Sequence, residues 1–177
     1  MRALLLLLLV FTSGCTPGVH QLIIDDDLGE VRLRIDADAA ALQAKDALEK
    51  SPLHKAITFD RARIFDYLLE QGADVNAADV TGMRPLHVAA ALNRAEYARK
   101  LIEAGAEIDP RDAFGDTPLH TAAMFGANAV IETLIRAGAD VFATNHEDLT
   151  PADLARKHRR TQLADQLEAF MDRRRAQ

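Results

Sequence analysis

Three histidines, His54, His87 and His120, stand 33 residues apart, and a row of imidazoles is a natural starting point for a metal site. The spacing argues against one. Residues recurring at such a step fall in successive packed layers, roughly 10 Å apart, whereas a zinc–nitrogen bond is about 2 Å long. One such histidine cannot share an ion with the next, so all three read as structural. A second group, His146 and His158 with Glu147, Asp148 and Asp153, has the His–carboxylate composition of a general base. No Ser or Cys nucleophile accompanies it in a recognisable context. Asp25-Asp26-Asp27 looks like a calcium-loop fragment but lacks the alternating oxygen ligands and late Glu of such a loop. Acidic residues equally suit the start of a helix. The chain contains no phosphate-cradling Gly-rich loop, paired CxxC or HExxH. The expectation is no catalytic residues, no metal, no cofactor and no small-molecule substrate.

The elements that would carry these residues repeat at the same step. Pro52, Pro85, Pro118 and Pro151 are 33 apart, as are Leu53, Leu86 and Leu119, and Ala56, Ala89, Ala122 and Ala155. Gly72, Gly105 and Gly138 follow the step, and so do Asp46, Asp79, Asp112 and Asn145. Each Pro suits the first position of a helix, where its missing N–H would have no partner anyway. Ser51, Thr117 and Thr150 precede three of them and can cap those helices. Arg84 precedes the fourth, which predicts a cap weaker by ~1 kcal/mol. Second helices show apolar pairs one turn apart: Ile64-Phe65 with Leu68-Leu69, Tyr97-Ala98 with Leu101-Ile102, and Val130-Ile131 with Leu134-Ile135. The three glycines end these helices, where a left-handed residue is needed.

A 33-residue period with a Pro-Leu-His-x-Ala core resembles the ankyrin-repeat family. The expected fold is all-α, a solenoid of stacked helix-turn-helix units with β-turn or hairpin tips. Three regular repeats, 51–82, 83–115 and 116–148, lie between degenerate capping repeats at 19–50 and 149–177. One step back from the first regular unit, Val31 and Ile35 keep the apolar stripe while Arg32 and Asp36 turn it polar. One step forward from the last, Leu163 and Leu167 keep it and Glu168 does not. Terminal repeats of a solenoid need such a polar outer face, and the last helix is expected to run on through Phe170 toward Arg173. The resemblance implies that His54, His87 and His120 hydrogen-bond within the turn network. It also implies that a protein partner is held by the tips and the exposed side of the first helices. Carried onto this chain, the tip positions include Val80, Thr81, Met83, Ala113, Phe114, Asp116, His146, Glu147 and Leu149. The first-helix positions include Phe59, Leu92, Met124 and Phe125. That set is apolar for a surface, and contiguous exposed apolar residues usually mark interaction sites.

The N-terminus carries a separate signal. Met1 and Arg2 precede an apolar run from Ala3 to Phe11, too short for a spanning helix of ~20 residues but right for a secretory signal peptide over 1–14. Thr12-Ser13-Gly14-Cys15 resembles a bacterial lipobox, with Thr12 where Leu is usual. The resemblance implies lipidation of Cys15, the sole cysteine. Residues 15–20 become a lipidated Cys and short tether, and 21–177 the repeat domain. Thr16 after the Cys implies the periplasmic face of the outer membrane. The formal net charge of -6 gives no electrostatic footprint for nucleic acid. The expected function is a non-enzymatic, lipid-anchored scaffold holding a partner protein in its groove. It would be either an antagonist of a toxin or hydrolase or an accessory factor of a periplasmic enzyme. A self-associating structural envelope protein is the alternative.

Overall fold

The computed structural model describes residues 18–176, so the leader and Cys15 lie outside the described residues. Five helix pairs follow one another: α1 (Val19–Ile24) with α2 (Leu28–Ala37), α3 (Pro52–Thr58) with α4 (Ala62–Glu70), α5 (Pro85–Ala91) with α6 (Ala95–Glu103), α7 (Pro118–Phe125) with α8 (Asn128–Arg136), and α9 (Pro151–Lys157) with α10 (Thr161–Arg175). A 3₁₀ turn, Ala39–Gln43, follows α2, and no strand occurs among the described residues. The first helices pack in the series α1–α3–α5–α7–α9, and α6 packs on α8 in a second layer. Each of the five expected units holds one pair, and the fold is the all-α solenoid that the period implies.

The period becomes a core because every repeated apolar position faces a copy of itself. Leu53, Leu86 and Leu119 are fully buried between first helices, beside Ala56, Ala89 and Ala122, which let neighbouring helices approach closely. From the second layer Ile64, Leu68, Leu101, Val130 and Leu134 are fully buried. Each such side chain contributes about 1.5–3 kcal/mol relative to exposure. Phe65 and Tyr97 meet edge-to-face at 4.7 Å across adjacent repeats. All four repeated prolines open their helices at the first turn. Gly72, Gly105 and Gly138 take φ of 80, 89 and 95° just past α4, α6 and α8. A side chain there would meet no neighbour, so the left-handed backbone alone selects glycine.

Both ends are sealed by losing half of the stripe. Val31 and Ile35 are buried while Arg32 and Asp36 are exposed, and the Arg32 guanidinium lies 5.1 Å over the Tyr67 ring. At the other end Leu163 and Leu167 are buried and Glu168 is half-exposed. The last helix continues through Phe170 to Arg175. One boundary shifts. Val19 is buried, and His20 bonds to the carbonyl of Lys50, so both belong to the fold and not to the tether assigned to 15–20. Apolar packing against α3 draws the chain into helix two residues before position 21.

Candidate functional site

The repeated histidines are consumed by the seam between repeats. The backbone N–H groups of Ser51, Arg84 and Thr117 donate to Nδ1 of His54, His87 and His120 at 3.1, 3.1 and 3.2 Å. With Nδ1 accepting, the proton of each neutral ring sits on Nε2. From there it is donated to a carbonyl of the following repeat: Met83 (3.1 Å), Asp116 (3.1 Å) and Leu149 (3.0 Å). Burial pushes all three rings below the ordinary value of 6.5. The final unit, 149–177, departs from this pattern. Asp153 takes the histidine position there and only accepts, from the Thr150 N–H (3.0 Å) and hydroxyl (2.6 Å). Arg84 supplies no side-chain cap to α5. Ser51, expected to cap α3, makes no side-chain cap bond either, its hydroxyl meeting His54 Nδ1 at 2.8 Å instead, so both helix starts lean on their histidines.

The tips are built by Asp46, Asp79, Asp112 and Asn145. Each Oδ1 accepts from backbone N–H groups two and four residues on, at 2.8–3.1 Å. The side chain thus folds its own loop into a turn. Burial works to raise the Asp46 carboxyl, but the Lys55 ammonium at 2.7 Å and these N–H donors outweigh it and hold it at about 2. Neighbouring tips join through Val80 N–H to Leu48 O (3.1 Å), Ala113 N–H to Thr81 O (2.9 Å) and His146 N–H to Phe114 O (3.0 Å).

On this frame the proposed surface is laid out position by position. Phe59, Leu92 and Phe125 end their first helices and are 39, 43 and 50% exposed, an apolar row at one position of three consecutive repeats. Val80 and Phe114 project from the tips at 61 and 67% exposed, and Thr81, Ala113, His146 and Glu147 are exposed beside them. Met124 is half-buried at the end of α7. Lys157, at the end of α9, pairs with Glu147 in the fourth tip at 2.5 Å. Tips and first-helix ends therefore border one surface. Three expected positions serve the frame instead. Asp116 is buried, its Oδ1 accepting from Asn145 Nδ2 at 2.7 Å, because an unpaired carboxylate at that depth would be costly. Met83 packs against the core. Met83 and the half-buried Leu149 each give a carbonyl to a histidine of the preceding unit.

A comparison with protein families settles which family the chain belongs to. The profile described as ankyrin repeats in three copies matches residues 7–112 and again 79–145. The chain belongs to the ankyrin-repeat family. Ankyrin repeats are generally scaffolds for protein–protein interaction, and the family is typically a non-enzymatic one. A comparison with curated proteins gave no significant match.

The groups with chemical potential sit in ordinary places within this ankyrin frame. Glu147 is engaged by Lys157, and Asp153 caps α9. His146 and His158 are both exposed. Asp27 caps α2, accepting from Glu30 N–H at 3.0 Å, as the helix-start reading of the acidic triplet expects. The basic C-terminal cluster is knitted into the cap. Arg156 pairs with Asp165 and Glu168, Arg160 Nε donates to the Met124 carbonyl at 2.8 Å, and Arg175 covers the Phe142 ring. Sequence reasoning missed His20, whose Nε2 reaches the Lys50 carbonyl at 2.8 Å and makes a fourth seam contact. One step back from His54 falls on Gln21, so His20 lies one residue off the period. A search allowing a one-residue slip in the degenerate unit would have found it.

Proposed function

We propose that the chain is a non-enzymatic binding protein, anchored through lipid on Cys15 at the periplasmic face of the outer membrane, that holds another protein in its groove along the first-helix ends. The observation that carries the reading is the row Phe59, Leu92 and Phe125. Three large apolar side chains stand exposed at one position in successive repeats. Aromatic and large apolar side chains clustered on a surface are the usual anchors of an interface. The lipobox-like Thr12-Ser13-Gly14-Cys15 and the absence of any second cysteine support the anchor. No helix among the described residues is long and apolar enough to cross a membrane, so a lipid on Cys15 would supply the attachment. The partner is an envelope protein. It is either a toxin or hydrolase held inactive or a periplasmic enzyme that the chain serves as an accessory factor.

The test is affinity capture from envelope extract with the full chain and with its Leu92→Glu/Phe125→Glu variant, read by mass spectrometry. A protein retained by the first and lost by the second supports the reading. Equal retention, or recovery of the chain itself as the only bound species, refutes it in favour of self-association. The anchor has its own check: Cys15→Ser should move the protein from the membrane to the soluble fraction.

A further inference from the structure

The exposed apolar side chains of the tips are set apart from the first-helix row by their relation to the N-terminus. The helix α1 opens beside the first tip: His20 Nε2 donates to the carbonyl of Lys50, the last residue of that tip. Its other end lies at the α3–α4 turn, where Arg61 reaches the carbonyls of Ile23 and Ile24. The chain therefore enters the solenoid from the tip side. Cys15 stands only three residues before Gly18, the residue that opens α1. Fully extended, that stretch covers at most about 10 Å. A lipid on Cys15 would hold the tip side of the first repeat against the membrane surface.

The tips are built for that position. Leu48, Val80 and Phe114 are among the most exposed large apolar residues described, at 53, 61 and 67%. They occupy the three tips nearest the N-terminus. The fourth tip, farthest along the stack, reads His146-Glu147-Asp148, and all three residues are exposed. Glu49 beside Leu48 is charged and exposed too, so what sets the fourth tip apart is that it exposes no large apolar side chain, and contact would end there. A net charge of -6 gives the chain as a whole no electrostatic attraction to anionic lipid. We infer that the tip edge of the first three repeats rests on the bilayer, with Leu48, Val80 and Phe114 in the headgroup region. The Phe59, Leu92 and Phe125 row then stays open to a protein. The inference rests on the anchor proposed above.

The chain contains no tryptophan, so a single Trp reports on one place. The full chain is produced in an export-competent bacterial host and reconstituted in phosphatidylethanolamine–phosphatidylglycerol vesicles with brominated acyl chains. Phe114→Trp and Val80→Trp should shift to the blue and lose most of their emission to the bromines. Phe125→Trp should keep nearly all of its own. Mass analysis of the N-terminal peptide is run on the same samples. Acylated Cys15 with Phe114→Trp quenched no more than Phe125→Trp overturns the edge contact alone. Unmodified Cys15 overturns the anchor and the edge contact together. Protection of Phe114→Trp that needs an added envelope protein, and not lipid, assigns the tips to the partner and likewise overturns the inference.

Discussion

The histidine seam and the exposed apolar row follow the same 33-residue step, and they differ in how strictly they follow it. Along the seam the residue is identical in every regular repeat, because each ring meets the same two backbone groups: a helix-start N–H and the next unit's carbonyl. Along the row only the character is kept. Phe, Leu and Phe stand where nothing inside the molecule demands a shape, and all three are exposed. Strict repetition marks what the stack needs for itself. On the proposed function, looser apolar repetition on the outside marks what it offers to a partner.

The comparison predicts large structural effects on the seam and small ones on the row. His87→Ala is the most severe. It strands the Arg84 N–H and the Asp116 carbonyl, and leaves a cavity, in the one regular unit with no hydroxyl residue before its proline. A loss of ~3 kcal/mol is expected in urea unfolding. His120→Ala should cost less, since the Thr117 hydroxyl still accepts from the N–H of residue 120.

Acid attacks the same seam. Burial lowers His54, His87 and His120 in the fold from their ordinary value of 6.5, so below that value the unfolded chain binds the extra protons. Stability should be full above pH 6.5 and fall as pH drops through the folded-state values. The slope is up to ~1.4 kcal/mol per pH unit for each histidine. Thermal unfolding between pH 8 and 4 measures it, and His87→Ala should flatten the curve. An unchanged melting temperature across that range would remove the neutral-ring assignment.

Arg84→Thr repairs the odd cap. It forfeits the Arg84–Glu107 pair at 2.7 Å, whose carboxylate is largely solvated and which is therefore worth little. It gains a hydroxyl at the start of α5. A net stabilisation of ~0.5 kcal/mol is expected in the same urea titration. Leu92→Glu and Phe125→Glu should change stability least, within about 0.5 kcal/mol each, with helical circular dichroism retained. A fall as large as that of His87→Ala would make the row part of the core.

Much of this was legible in the sequence because a repeat protein states each structural requirement several times. Pro at the helix start, Gly after the second helix and Asp at the tip each recur wherever the backbone poses the same problem. The capping ends were legible too, from Arg32, Asp36 and Glu168 replacing apolar positions. What escaped were single solutions. Asp116 looked like a tip residue, but only its pairing with Asn145 shows why it is buried. His20 was hidden by a one-residue slip in the unit least like the others. The surface itself was legible as a pattern of apolar tip and helix-end positions. Its exposure had to come from the structure, since an apolar residue at a helix end reads equally well as core.

The most direct measurement places a photoreactive phenylalanine analogue at position 92 or 125 of the full chain in living cells, with position 70 on α4, also exposed, as the control. The account predicts one common cross-linked product from positions 92 and 125, containing a second envelope protein, and none from position 70. No product at 92 and 125, or a product made of two copies of this chain, would contradict it.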